Sequence, residues 1–487
     1  MQWSTRLIVS SFAVATLAMG GMLMSCGPSS GSGHGGSGGT GGGGSGANGG
    51  GASGGTGGGG SGGLAGCSGL QCQQMDCGAQ PATTLTGKVF APNGTLPLYN
   101  AIVYIPNKTP DAFTDGVTCD RCSGSVSGDP VVITTTDSSG SFTLTNVPVG
   151  ANIPLVIQLG KWRVQKTIAN VPACTATALD AGTTSLPKNH TLGDIPKMAI
   201  VTGSADPLEC LLLKIGLDAS EISEPGGTGR ISFYKGHNSP GTTMSGNTPD
   251  GTMLYGNAAE LMKYDVVMLP CEGGQYDQSA GTTNIANYVN AGGRVFTTHY
   301  SYDWWSYANS PFLKVATSLK NNLWPVGQKD YYDYTIAGAL NTMFPKGMAF
   351  AQWLIAAGAT SPMGTLGIVQ GRHDLTGVDP KYAQDWINYD FNTPPTGAAN
   401  VSAGPGVMHM TFNTPLDAPP DDMGVPQYCG RAVFSDFHVT ADALTMGQTT
   451  FPGACKSAPL TDQEKALAFM LFDLSSCVQS DQTNPIP

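Results

Sequence analysis

Apolar positions change rhythm once along the chain. Between about 84 and 165 they fall in short runs separated by turn residues. Residues 84–90 alternate before a Pro92-Asn93-Gly94 turn. Further runs lie at 101–105, 131–136, 141–144, 153–158 and 162–165, with Asp137-Ser138-Ser139-Gly140 as a hairpin turn. Short strands joined by Gly, Asn and Asp turns, without a helical period, predict an all-β sandwich over 67–186.

From about 190 the pattern becomes strand, helix, strand. Residues 197–202 form an apolar strand. Asp206 then suits an N-cap, Pro207 the first helical position, and Gly216 the stop after a helix at 208–215. Strands at 230–234, 264–270 and 294–298 alternate with helices at 258–263 and 284–290. A late core strand covers 431–436. Thr461-Asp462-Gln463-Glu464 reads as a capping box opening a last helix that reaches about 474. This alternation predicts a doubly wound α/β domain over 190–480, with a parallel sheet. The stretch 316–400 reads as an insertion carrying one helix near 348–357.

The N-terminus adds an address. Arg6 precedes an uncharged apolar stretch, 7–24, which ends in Leu23-Met24-Ser25-Cys26. A basic start, an apolar middle and small residues at the cut describe a signal peptide over 1–26 rather than a membrane span. Its ending resembles a lipobox, which implies lipidation of Cys26 and a membrane partner through that lipid. Gly27 is not the aspartate associated with inner-membrane retention, so the outer membrane is the expected location. Residues 27–66 hold 24 glycines in 40 positions. They cannot bury enough apolar surface to offset ordering, and predict a disordered tether with an end-to-end distance of roughly 35 Å.

Composition narrows the partners. Charged residues are 12% of the chain, the net charge is -11, and Lys and Arg form no cluster. Nucleic-acid binding needs a basic stripe and is excluded as an expectation. Twelve cysteines are present. Outside the cytoplasm the eleven besides Cys26 should mostly pair. The expected pairs in the second domain are Cys210–Cys271 and Cys429–Cys455. The odd number leaves a free thiol or a bond between domains. Cys119-Asp120-Arg121-Cys122, in a loop of a β-domain, suits structural disulfides better than a redox pair or a zinc site.

The first domain resembles carboxypeptidase regulatory-like domains of the transthyretin-like, carbohydrate-binding-like fold. The matching residues are Gly87-Lys88-Val89, Gly94 with Pro97-Leu98, Ala101-Ile102-Val103, the run from Thr136 to Leu144, and Val147-Pro148-Val149-Gly150. The resemblance implies a spacer or packing partner, with glycan binding in some members. Trp162 between Lys161 and Arg163 suits an edge strand packed on the next domain, or else a sugar-stacking ring.

The second domain resembles the flavodoxin-like, class I glutamine amidotransferase-like fold, and within it the trehalose-utilisation (ThuA-like) branch. The match rests on residues 264–270, on Gly292-Gly293-Arg294-Val295-Phe296, on the elbow Thr297-Thr298-His299-Tyr300-Ser301, and on 430–438, which end in His438. An amidotransferase carries a cysteine in a Gly-x-Cys-x-Gly turn at that elbow, where backbone N–H groups meet the oxyanion. Here His299 takes the cysteine's place and Thr297 and Ser301 replace the glycines. Glutamine hydrolysis is therefore rejected.

Ligands of open α/β sheets sit beyond the carboxyl ends of the strands. That rule collects Ser204, Asp206, Cys271, Glu272, His299, Tyr300, Asp303 and His438. His299, His438 and Asp303 are the candidate catalytic groups. Ser204, Glu272, Tyr300, Trp304 and Trp305 are the candidate ligand-binding groups, the last three within an aromatic run suited to sugar stacking or to an apolar wall. His373, Asp374 and His409 receive no role. No cofactor is expected and no metal ligand is assigned, with a divalent ion left open. The expected function is non-catalytic binding of a glycan or another envelope polymer, with an extracellular enzyme acting on a sugar derivative as the alternative.

Overall fold

The computed structural model describes residues 66–122, 126–237, 241–276, 278–306, 310–318, 335–359, 363–393 and 402–486. The leader, Cys26 and nearly all of the tether lie outside the described residues. The protein is a multidomain mixed α/β molecule with large sheets.

The N-terminal strands are β1 (Thr84–Lys88), β2 (Ile102–Pro106), β3 (Pro130–Thr135), β4 (Ser141–Thr145), β5 (Gly150–Leu159), β6 (Trp162–Val171) and β7 (Ala176–Ala178). They form a three-stranded sheet, β4-β1-β7, and a four-stranded sheet, β3-β2-β5-β6. Leu85, Phe142 and Leu144 of the first sheet share one core with Val103, Leu155 and Ile157 of the second. A short helix, α1 (Ala181–Thr184), is capped by Asp180 and closes this part.

The second part contributes β8 (Met198–Thr202), α2 (Leu208–Lys214), β9 (Ile222–Ser223), β10 (Ile231–Lys235), α3 (Thr252–Tyr255), α4 (Ala258–Leu261), β11 (Val266–Leu269), α5 (Ser279–Asn290), β12 (Arg294–Thr298) and α6 (Asp303–Ser306). Then come β13 (Ala316–Ser318), β14 (Thr335–Leu340), α7 (Pro345–Ala356), β15 (Thr365–Val369), β16 (Leu375–Val378), β17 (Ala383–Asp390), β18 (Pro405–Thr414), β19 (Gly430–Ser435) and α8 (Asp462–Ser475). One ten-stranded sheet runs β15-β14-β17-β18-β19-β12-β11-β8-β10-β9. From β9 to β19 neighbouring strands are parallel. Beyond β19 they turn antiparallel. Strands β8, β11, β12 and β19 are buried along their whole length, as helix-covered parallel strands require. The capping box at Thr461 and Glu464 forms as the sequence predicts.

Three findings revise the sequence expectations. The stretch 316–400 is not a separate insertion: β14, β15 and β17 extend the main sheet, and the expected helix is α7. The two parts also do not separate, since Gly60–Pro487 form one compact unit. Trp162 is fully buried and packs on Phe472 of α8, with ring centroids 5.8 Å apart. The backbones meet too: a Cβ on Gly160 would lie 1.7 Å from the Ser475 carbonyl oxygen.

The disulfides are the third revision. Neither expected pair forms. Cys210 bonds Cys455, and Cys429 bonds Cys119. Cys122 bonds Cys477, while Cys67–Cys72 and Cys77–Cys174 stay within the N-terminal part. Cys271 is a buried free thiol. The two cysteines of the Cys-x-x-Cys therefore both reach across to the α/β part. Chain spacing carries no signal for such long-range bonds, which follow from the docking of the Cys119–Cys122 segment against the start of β19 and the end of α8.

Candidate functional site

Strand β8 connects to β10 on one side and the chain then returns to β11 on the other, so the topological switch lies between β8 and β11. A doubly wound sheet offers its ligand crevice there. In this protein the crevice is filled by backbone. A Cβ on Gly203, just past β8, would lie 1.9 Å from the carbonyl oxygen of Cys271, just past β11. A Cβ on Gly241 would meet the Gly203 carbonyl oxygen at 2.2 Å. The exposed Ser204 donates its hydroxyl to the Glu272 carbonyl at 3.1 Å, which joins the two loops.

The turn after β12 is sharp. His299 follows β12 directly and has φ of 45°, in the left-handed region that a non-glycine residue enters only when its surroundings hold it there. A 3-10 turn, His299–Tyr302, leads from it into α6. Leu269 of β11 pairs with Thr297 of β12, so the residues two further on, Cys271 and His299, stand side by side. Cys271 Sγ lies 2.9 Å from His299 Nδ1. The Cys271 N–H donates to Thr298 Oγ1 at 2.9 Å, and that hydroxyl donates to Asp206. The other oxygen of Asp206 accepts the Val439 N–H at 3.0 Å.

The remaining groups close around His299. Its Nε2 is 3.7 Å from Asp374 Oδ2, and its ring centroid is 5.7 Å from that of His438. His438 places Nδ1 2.9 Å from the Val439 carbonyl oxygen, and its own carbonyl accepts from Gln463 Nε2 at 2.6 Å. The Asp374 N–H donates to Asp436 Oδ2 at 2.7 Å. Arg372 adds a cation beside both carboxyls and both imidazoles. Cys271, His299, Asp374 and Asp436 are 0% exposed and His438 is 2% exposed, so the cluster is closed to bulk solvent.

Burial sets the charge states. It pushes the Cys271 thiol up to about 12 and His438 down to about 4, and with the Arg372 charge it drives His299 well below its ordinary range. Burial, then the neighbouring Asp436 charge, raises Asp374 well above the carboxylate range, and burial lifts Asp436 to about 6. Burial and mutual repulsion disfavour charging both carboxyls at once. A cysteine nucleophile works as a thiolate, usually beside a cationic imidazole. At the Cys271–His299 contact burial raises the thiol and lowers the imidazole, which works against a thiolate–imidazolium pair. Among the described residues no three His, Cys, Asp or Glu side chains are arranged to hold a metal ion.

Of the expected site residues, His299 and His438 meet. Asp303 is 1% exposed; burial, reinforced by the Asp374 charge, lifts it to about 7. Glu272 belongs to a second cluster, in which its Oε2 lies 2.7 Å from His237 Nδ1 and the His237 ring stacks on Tyr276 at 4.6 Å. The half-buried Tyr300 packs its ring 4.0 Å from that of His299. Trp304 and Trp305 are corrected outright: they are 2% and 0% exposed and have no face for a sugar. Trp305 packs edge-on against Phe412 at 5.1 Å and donates Nε1–H to Thr297. Sequence reasoning missed Asp374, Asp436, His237 and the Cys271 contact. Asp436 was within reach, two residues before His438 on a strand already recognised.

Stability should report this buried chemistry. Glu209 of α2 is fully buried, accepts one hydrogen bond from Thr242 at 2.6 Å, and is raised by burial to about 7. A raised carboxyl favours the protonated fold. Its contribution is complete below the unfolded value, about 4.3, and is lost as the pH climbs through the folded value. The histidines act oppositely, contributing fully above about 6.5 and losing ground as pH falls. Glu209→Gln is expected to match the native chain near pH 4. It should exceed the native unfolding free energy at pH 7.5 by on the order of 2–3 kcal/mol. Urea unfolding across pH checks this, and a gap that fails to widen with pH would refute it.

Comparison with known proteins yields slight likenesses. No family model matches the chain, and no curated protein matches it. Among solved structures, a putative ThuA-like protein from Bacteroides uniformis ATCC 8492 is 11% identical with a TM-score of 0.31, covering 59% of this chain and 94% of its own. A type II cohesin–X–dockerin complex from Acetivibrio cellulolyticus is 16% identical with a TM-score of 0.15, over 25% of this chain and 76% of that one. A cold-adapted β-galactosidase from Rahnella sp. R3 is 12% identical with a TM-score of 0.22, over 50% of this chain and 29% of its own.

Proposed function

We propose that this chain is an envelope-anchored lipoprotein, lipidated at Cys26 and held at the outer membrane, that binds a glycan or another envelope component without catalysis. In this reading the N-terminal part is a carboxypeptidase regulatory-like sandwich. The second part is a flavodoxin-like domain of the class I glutamine amidotransferase-like fold, in its ThuA-like branch. The observation that supports non-catalytic binding is the filled crevice between β8 and β11, over a fully buried Cys271–His299 contact. Five disulfides among the described residues suit an oxidising compartment.

An enzyme acting on a sugar derivative is the second reading, and the 2.9 Å approach of Cys271 to His299 is what favours it. It would need a thiolate beside an imidazolium in a site whose burial opposes both charges. The deciding experiment incubates the purified mature lipoprotein with glutamine, and separately with envelope polysaccharide, following ammonia release, polymer breakdown and retention of the protein on the polymer. Retention without turnover is expected. Turnover that His299→Gln abolishes would overturn the non-catalytic reading, and failure to be retained would overturn the binding reading.

A further inference from the structure

We infer that the cleft on the N-terminal part, beside the linker that leads to the second part, takes an acidic sugar unit; this deepens the binding function proposed above and rests on it. The cleft has a volume of about 260 Å³. That is near the lower end for ligand pockets, roughly 300–1,000 Å³, and suits a ligand of one or two sugar rings. Its walls come from the turn after β1, from β6, from α1 and from the linker that follows it.

The walls are fixed before any ligand arrives. The Asn93 N–H donates to the Ile215 carbonyl at 2.8 Å, and its side-chain amide donates to the Lys214 carbonyl at 3.2 Å. Gly216, with φ of 101°, allows this approach, since a Cβ there would lie 2.2 Å from the Asn93 nitrogen. On the opposite wall the Lys188 carbonyl accepts the Asp218 N–H at 3.0 Å, which straps the linker to the α/β part. A pre-formed cleft loses little ordering entropy on binding.

Its lining chemistry runs against the rest of the molecule. The chain carries a net charge of -11, yet Lys166 and Lys188 face the cleft and no Asp or Glu lines it. Among the described residues neither lysine forms an ion pair, whereas Lys161, Lys214 and Lys346 all do. Ser185 and Leu192, the latter 54% exposed, also line the cleft. Two cations in a cleft without an acidic side chain in its lining favour an anion there. A hydroxyl and an exposed apolar side chain in the same lining suit a ring with hydroxyls and C–H faces better than a bare anion.

The test titrates the purified mature lipoprotein by calorimetry with trigalacturonic acid, with maltotriose and with inorganic phosphate. The acidic trisaccharide is expected to bind at least tenfold more tightly than either of the others. Lys166→Gln combined with Lys188→Gln should weaken it at least tenfold. The thermal midpoint should stay in place, because neither lysine is in an ion pair. Equal affinity for maltotriose, equal affinity for phosphate, or unchanged affinity in the double variant would each overturn the inference. If trigalacturonic acid fails to bind while the protein is still retained on envelope polysaccharide, the cleft is wrong and the binding function stands. If retention is lost as well, the binding function itself has failed.

Discussion

Replacing Asp473 with alanine is expected to lower the unfolding free energy by about 3–5 kcal/mol. Asp473 lies in α8 between two buried cations, 2.9 Å from Lys346 Nζ and 2.9 Å from Arg431 Nη2. Asp481, in the C-terminal tail, completes the group at 2.8 Å from Arg431 and 3.4 Å from Lys346. Lys346 and Arg431 are each 1% exposed. Burial alone would raise the Asp473 carboxyl, but the two cations outweigh it and hold it below its usual range. Two positive and two negative charges balance in a dry interior. Removing Asp473 leaves one carboxylate for two cations, and an uncompensated buried charge is among the costliest single changes. Urea unfolding at pH 7 measures the loss. A change under about 1 kcal/mol, the range of exposed pairs, would contradict the closed network.

The second large effect concerns the bonds between the two parts. Cys119→Ser with Cys122→Ser removes Cys119–Cys429 and Cys122–Cys477 together. Each native disulfide contributes about 2–5 kcal/mol, largely by restricting the unfolded chain when the closed loop is long. These bonds close separations of 310 and 355 residues. The double variant should lose several degrees of thermal midpoint and become sensitive to protease in the 106–130 loop. An unchanged midpoint with an intact loop would show that packing alone joins the two parts.

Much of the architecture was legible because local signals and burial agree. The apolar run at 264–270 could only be a buried strand, and Thr461 with Glu464 announced the last helix three residues apart. The reading faltered where function depends on which distant segments meet. Asp374 stands in a stretch that looked like an insertion, yet the chain returns there to extend the sheet, which delivers the carboxyl to His299. The Trp304-Trp305 pair suited a sugar-stacking platform as well as an apolar wall, because polar residues flank it. The turn after the elbow buries both rings, and the neighbouring Tyr300 keeps only a half-exposed position. The approach of Cys271 to His299 was visible in principle, since parallel pairing in register sets 271 beside 299. The closing of the switch-point crevice depends on glycines at 203 and 241 whose neighbours only the fold defines.

The strand-end cluster is sealed, which leaves its thiol idle. The rate at which iodoacetamide alkylates Cys271 in the native protein tests it most directly, followed on the Cys271 peptide by mass spectrometry from pH 6 to 9. A fully buried thiol raised to about 12 should be modified only through unfolding, at least a hundredfold more slowly than in urea. Rapid native alkylation with a midpoint near neutral pH would mean that the crevice opens and that Cys271 and His299 form a working pair, contradicting the account.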